Sequence, residues 1–401
     1  MMARALVLAA LADDPSTVRP PLRSRDSELM AGGLAAMGVE FDIADPLAWV
    51  VRPQPLAGPA KVDVGLSGTV MRFLPPVAAL ADGRVAFDGD VRARERPLGP
   101  LLASLRSIGV DIDARPSADG GALPIAVNGR GSVDGGDVAI DASASSQFVS
   151  GLLLAAARFD RGLVIRHSGP PVPSAPHLRM TAAMLRSAGV EIDDTTPDVW
   201  AVAPGKIAGR DWVIEPDLSG AAPFLAAALV TGGEVAVPSW PGETTQPGDQ
   251  LRELLTMMGG DVTLTDAGLT IRGTGAVHGI DANLSEVSEL TVVIAALAAL
   301  ADSPSRLTGV GHIRGHETDR LGALARELVH LGARVTELPD GLAIEPRPLS
   351  GAAFETYADH RMAHAAAVIG LVVPGVELSD VACTSKTMPD FPALWAGMVS
   401  G

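Results

Sequence analysis

The sequence predicts an α/β repeat protein, six units arranged as two domains of three. Three observations carry this. Six strongly apolar helical segments recur down the chain. Five amphipathic helices end in a glycine that leads into a strand, in step with the first set. A natural division near residues 213–217 leaves three apolar helices on each side, so the expected domains are 1–215 and 216–401.

The apolar segments are RALVLAALA from Arg4, SGTVMRFLPPVAALA from Ser67, SSQFVSGLLLAAA from Ser145, SGAAPFLAAALV from Ser219, SELTVVIAALAALA from Ser288 and DHRMAHAAAVIGLVV from Asp359. The last five open on a residue able to cap a helix and then turn apolar on nearly every face. A helix that is apolar all round is buried, and regular recurrence means a repeat. The first copy has no cap and no preceding strand. The junctions are LAAMGVEFDI, LRSIGVDIDA, LRSAGVEIDD, LLTMMGGDVTL and LVHLGARVTEL, with Gly38, Gly109, Gly189, Gly260 and Gly332 as the expected left-handed caps. Each unit therefore holds a buried helix, a surface helix and several strands.

Composition narrows the function. A formal charge of −16 argues against nucleic acid, yet an acidic protein can focus positive potential inside a cleft. No apolar run reaches the ~20 residues of a membrane span, and no signal peptide is seen. A single cysteine, Cys383, excludes a disulfide framework and suits a reducing cytoplasm. Lys61, Lys206 and Lys386 are the only lysines in an arginine-rich chain, so each one retained is suggestive.

Helix starts attract anions, and the polar residues gather there. Gly68 and Thr69 open the second apolar helix, with Arg72 one turn in. Ser145, Ser146 and Gln147 open the third; Ser145 alone reads as a plain N-cap, but the three together exceed what capping requires. In RARERP, Arg92 and Arg94 read as a solvated turn pairing with Glu95. Arg96, fixed by Pro97 at a helix start, is the better anion ligand. The proline-rich stretch 170–177 reads as a site-bearing loop. GHIRGHETDRL places His316, Glu317, Asp319 and Arg320 at the start of an amphipathic helix, where capping competes with function. DHRM supplies Asp359, His360 and Arg361, and TSKTMPDF supplies Lys386. Glu289 is expected one turn into a buried apolar helix, either as a base whose pKa burial raises or as a carboxylate facing a polar junction. No metal-ligand spacing, Walker loop or GxGxxG is visible, and Cys383 reads as structural.

In order, SGTVMR, RERP, SSQF, VPSAPH, HETDRL, DHRM and CTSKTMPD resemble the EPSP synthase (3-phosphoshikimate 1-carboxyvinyltransferase) family from Arg4 onward. The resemblance implies a two-domain inside-out α/β barrel of six βαβαββ repeats. The implied reaction moves the enolpyruvyl group of phosphoenolpyruvate to the 5-hydroxyl of shikimate 3-phosphate and releases phosphate. It implies no metal and no other cofactor, and a monomer is expected. By similarity, shikimate 3-phosphate meets Arg4, Ser145, Ser146, Gln147, Ser174, Glu289 and His316. Phosphoenolpyruvate meets Gly68, Arg96, Gln147, Arg320, Arg361 and Lys386. Glu289, Glu317 and Lys386 are the expected catalytic groups, Glu289 as the base and Glu317 near the phosphoenolpyruvate methylene.

The chain departs from the family pattern in places. Glu289 replaces an aspartate, Leu66 an asparagine, His316 a lysine and His177 a frequent tyrosine. The opening P-G-S-K-S-x-T-N-R is represented only by Arg4, which predicts impaired turnover. A non-catalytic homologue that binds shikimate 3-phosphate is therefore the alternative. A UDP-N-acetylglucosamine enolpyruvyl transferase is disfavoured because VRARERPLG lacks that family's cysteine.

Overall fold

In the computed structural model, which describes residues 1–400, the chain divides into two compact units, Met1–Ile214 and Glu215–Gly401. The first unit runs α1 (Met2–Ala10), β1 (Ser16–Arg19), α2 (Arg25–Ala36), β2 (Glu40–Asp42), β3 (Trp49–Arg52), β4 (Ala60–Asp63), α3 (Gly68–Ala78), β5 (Asp82–Asp88), α4 (Gly99–Ser107), β6 (Asp111–Arg115), β7 (Ala122–Arg130), β8 (Gly136–Ile140), α5 (Gln147–Ala156), β9 (Leu163–His167), α6 (Pro176–Ser187), β10 (Ile192–Asp193), β11 (Val199–Val202) and β12 (Asp211–Val213). The second runs α7 (Ala222–Thr231), β13 (Glu234–Pro238), α8 (Leu251–Met257), β14 (Asp261–Thr265), β15 (Gly268–Arg272), β16 (Asp281–Asn283), α9 (Thr291–Ala299), β17 (Ser305–Thr308), α10 (Arg320–Leu331), β18 (Arg334–Leu338), β19 (Gly341–Glu345), β20 (Ala353–Phe354), α11 (His360–Gly370), β21 (Glu377–Leu378) and α12 (Phe391–Ser400).

The βαβαββ repeat is explicit. In the second, third and fifth copies a buried helix crosses between two parallel strands (β4 and β5, β8 and β9, β16 and β17), and two antiparallel strands follow. In the first copy the parallel neighbour of β1 comes from elsewhere in the unit: it is β12, from the far end, in register Val18↔Trp212. The fourth sheet holds three strands, β13–β15–β14, and the sixth holds the parallel pair β20–β21.

The six apolar segments are α1, α3, α5, α7, α9 and α11. Within each unit the three pack on one another and form the core. All nine residues of α9 are buried, which is why it shows no polar face. Each fully buried Val, Leu or Ile contributes about 1.5–3 kcal/mol. Pro76 cannot donate to the Arg72 carbonyl one turn back. The backbone of α5 lies against that carbonyl because residue 151 is glycine, where a β-carbon would sit 2.3 Å from the oxygen. Of the five expected left-handed glycines, Gly38, Gly109, Gly189 and Gly332 take positive φ. The fourth falls on Gly259 (φ 99°), one residue before the expected Gly260. The helix α8 stops at Met257, so its cap comes a residue early.

No helix of the described residues is long and apolar enough to cross a membrane.

Candidate active site

In the first unit the cradle lies at the starts of α3 and α5. Ser67 caps α3, its hydroxyl accepting from Val70 N–H at 3.5 Å. Gly68 follows, and there a β-carbon would stand 2.9 Å from both Arg96 Nη2 and Gln147 Oε1 and 3.1 Å from Arg72 Nη1. Three polar heads from different elements thus converge on one residue without a side chain. Arg72 donates to Gln147 Oε1 at 2.8 Å and to the Pro97 carbonyl at 3.1 Å, so it sets both the amide and the turn that carries Arg96. Arg96 is buried, donates to the Leu66 carbonyl at 3.0 Å, and keeps a buried Nε with no hydrogen-bond partner. Its neighbours divide differently from expectation. Arg94 pairs with Asp88 at 2.7 Å instead of Glu95, and Arg92 is exposed.

The serines at the start of α5 also divide. Ser145 accepts from Gln147 N–H at 3.3 Å, a local cap. Ser146 is buried and makes no side-chain cap bond. Arg4 lies in α1 and is buried, with Nε donating to Thr181 Oγ1 at 2.7 Å and Nη2 to the His177 carbonyl at 3.3 Å. Its guanidinium lies 5.3 Å from the centre of the Phe73 ring. Ser174 is buried with φ at 52°, and its carbonyl accepts His177 N–H at 3.0 Å. A non-glycine residue in that region stores strain, which clusters at functional sites.

In the second unit the cations and carboxylates form one buried network. Arg320 donates to Asp359 through Nε (2.7 Å) and Nη2 (3.1 Å), to Glu317 through Nη2 (2.9 Å) and to His316 Nδ1 through Nη1 (3.0 Å). Four of a guanidinium's five N–H donors are thereby used, leaving one on Nη1. Lys386 Nζ lies 3.0 Å from the other Glu317 oxygen. Both Glu317 oxygens therefore face cations. Asp319 caps α10 instead, accepting from Gly322 N–H at 3.1 Å, so the two carboxylates of HETD part company: Asp319 serves the helix and Glu317 the cluster. Glu289 lies half-buried in the single 3-10 turn Ser288–Leu290 that opens α9, not a turn inside it.

Arg361 differs from the other cations. It is buried in α11, whose N-cap Asp359 accepts from its backbone N–H at 2.9 Å. Its guanidinium donates only to Ser219, to the carbonyl at 3.1 Å and the hydroxyl at 2.9 Å, and makes no ion pair among the described residues. Burial and then the Arg320 charge lower its pKa, partly offset by Asp217 and Glu289 at longer range. A buried cation without a counter-ion is stabilised by a bound anion. The pKa of Arg320 is raised by Asp359 and Glu317, against the effect of burial. Cys383 is half-buried, and burial pushes its thiol up to about 11, which agrees with the structural reading.

Sequence reasoning assigned no role in the site to Ser219 or Thr181, and named Asp359 only among the residues that open the last apolar helix. Each acts through a partner far along the chain, from 39 residues for Asp359 with Arg320 to 177 for Thr181 with Arg4. The local signals were Asp359 and Ser219 as openers of apolar helical segments; Thr181 had none.

Two histidines on α11 bear on stability. His364 is 1% exposed against the Phe391 ring, and burial pushes its pKa down to about 3. His360, also buried, is lowered well below its usual value by burial and then by Lys386. Both are neutral when folded and charge on unfolding. Their contribution to stability is complete above pH ~6.5 and is lost as pH falls toward the folded pKa, at about 1.4 kcal/mol per unit for each. Denaturant titrations at pH 7 and 5 are expected to show that slope, and His364→Phe to remove one histidine's share of it. An unchanged slope in the variant would refute the assignment.

An α/β repeat fold in which buried arginines stand at helix starts, with Lys386 closing the 3-10 turn Ala382–Lys386, defines an enzyme of small anionic substrates. The sequence profile of EPSP synthase (3-phosphoshikimate 1-carboxyvinyltransferase) matches residues 1–395. A 3-phosphoshikimate 1-carboxyvinyltransferase of Kocuria rhizophila is 54% identical over 406 residues, 99% of this chain and 91% of that protein. Two solved structures of EPSP synthase from Acinetobacter baumannii superpose with TM-scores of 0.81 and 0.80 at 23% identity, over 99% of this chain and 93% of theirs, and show the shared fold. The chain belongs to the EPSP synthase (3-phosphoshikimate 1-carboxyvinyltransferase) family and carries that family's transferase activity.

Proposed function

We propose that the buried, uncompensated Arg361 and the clusters around it and Arg96 bind the anionic groups of phosphoenolpyruvate, and that the chain transfers its enolpyruvyl group to shikimate 3-phosphate. Arg361 carries the reading, because its desolvated charge has hydroxyl and carbonyl partners but no carboxylate. Arg96, Gly68 and Gln147 in the first unit, and Arg320 and Lys386 in the second, are further phosphoenolpyruvate contacts. Arg4, Ser145, Ser146, Gln147, Ser174, Glu289 and His316 hold shikimate 3-phosphate. His316 accepts from Arg320 at 3.0 Å through Nδ1, which leaves Nε2 as its donor in the neutral ring.

Chemically, Glu289 takes the proton of the 5-hydroxyl as its oxygen bonds to C2 of phosphoenolpyruvate. The methylene gains a proton to become methyl. Lys386 is the proton donor, with Glu317 as its counter-ion 3.0 Å away. Loss of phosphate and return of one methyl proton then give the enol ether. The buried cations favour the charge that gathers on the departing phosphate. A monomer acting in the cytoplasm fits the single reduced cysteine and the family's small soluble substrates.

The test is phosphate release from phosphoenolpyruvate with and without shikimate 3-phosphate, for this chain and for Arg361→Met. Release that requires both substrates and falls in the variant is expected. Release indifferent to shikimate 3-phosphate, or to the loss of Arg361, would sink the reading. Gly68→Ala should raise the KM for phosphoenolpyruvate by roughly tenfold to a hundredfold, because its methyl would stand 2.9 Å from Arg96 and from Gln147. Steady-state kinetics showing an unchanged KM would remove Gly68 from the site.

A further inference from the structure

Two turns along α10 from Arg320, on the same face, stands Glu327. It is 6% exposed, and no step of the chemistry uses it. Its two oxygens are both engaged by the segment that leads into α11. Oε2 accepts Glu355 N–H at 3.1 Å, and Oε1 accepts the Tyr357 hydroxyl at 2.5 Å. Arg320 grips Asp359 from the same helix face. The segment 355–359 is thus fastened to α10 at two points about 10 Å apart.

Between those points the backbone is strained. Tyr357 and Ala358 are consecutive left-handed residues, φ 54° and 53°, and neither is glycine. That conformation persists only where surrounding contacts over-determine it. The contacts are present: Tyr357 N–H donates to Glu355 Oε1 at 3.0 Å, Thr356 N–H to Ser379 Oγ at 3.0 Å, and Asp359 N–H to the Thr356 carbonyl at 2.9 Å. The Arg326 guanidinium lies 5.5 Å from the Tyr357 ring centre. Burial and the Glu327 carboxylate push the Tyr357 phenol up to about 12, so it remains a donor. Tyr357 is the only tyrosine in the chain.

We propose that Glu327 and Tyr357 are positioning residues for phosphoenolpyruvate: they hold the strained turn so that Asp359 meets the Arg320 guanidinium with both oxygens and starts α11 where Arg361 is needed. The proposal rests on the reading of Arg320 as a phosphoenolpyruvate ligand. Without the clasp the turn relaxes, Asp359 shifts, and Arg320 loses the plane in which its remaining Nη1 donor points.

The test is a kinetic cycle of Tyr357→Phe, Arg320→Lys and the double variant, with melting curves for each. Tyr357→Phe deletes one oxygen and keeps the ring. Arg320→Lys keeps the charge opposite Asp359 and Glu317 but loses the two-pronged grip. Tyr357→Phe is expected to raise the KM for phosphoenolpyruvate about tenfold, with kcat and the KM for shikimate 3-phosphate changed less than about twofold. In the Arg320→Lys background it should add nothing, since it acts through Arg320. Glu327→Gln, whose amide can accept from Glu355 N–H and donate to the Tyr357 oxygen, should keep most of the affinity, whereas Glu327→Ala should lose it.

An unchanged phosphoenolpyruvate KM in Tyr357→Phe, while Arg320→Lys raises it, overturns the positioning role and leaves the reading of Arg320 intact. Equal effects of Tyr357→Phe in both backgrounds overturn it as well, since the effect then bypasses Arg320. An Arg320→Lys enzyme with unchanged KM overturns the reading of Arg320 and the proposal together.

Discussion

Glu289→Gln is expected to lower kcat by about 10²–10⁴-fold with little change in melting temperature. Glu289 is half-buried in the 3-10 turn ahead of α9, and its charge is felt by His312, Arg320 and Arg361. The amide keeps the shape and removes the proposed base. Because the side chain is not part of the apolar face of α9, the fold should tolerate the change. Glu289→Asp, the residue common in the family, should retain most of the rate if the backbone places its shorter carboxylate within reach. Single-turnover phosphate release by Glu289→Gln at the unsubstituted rate would mean that another group takes the proton.

Arg320→Met carries the largest expected effect on stability. Arg320 is 3% exposed by side chain and pairs with Asp359 at 0% and Glu317 at 9%. Breaking a buried pair from one side leaves charge in the interior uncompensated and costs about 3–5 kcal/mol. Lys386 still faces Glu317 at 3.0 Å, so Asp359 is the carboxylate left most exposed to that cost. Asp359→Asn in the same chain should restore part of the loss, a coupling visible in a double-mutant cycle. Additive losses in urea titrations would mean that the pair is not coupled as its 2.7 Å geometry requires.

The six buried helices were legible because burial on all sides leaves a mark in a single segment: α9 has no polar face, and no partner need be known to see it. The glycine caps were legible for a similar local reason, with the one-residue displacement to Gly259 set by where α8 stops. The motif residues of the candidate site were named through the ordered motifs that resemble the EPSP synthase family. Their chemistry could not be ranked, because ranking depends on which charges meet. Arg94 found Asp88 in place of Glu95, and Glu317 parted from Asp319.

What the sequence determined by itself is therefore what short-range forces determine: which segments are helices, which of them are buried, where they stop, and which cations stand at their starts. The tertiary structure decided the rest. It brought β12 beside β1 across nearly the whole first unit. It joined Arg320 to Asp359 and Arg361 to Ser219, and tied the strained turn at Tyr357 to Glu327. Such pairs form because the long-range packing of apolar faces brings polar groups together far from water, where they must be matched or pay in desolvation. No local pattern records which partner that packing will supply.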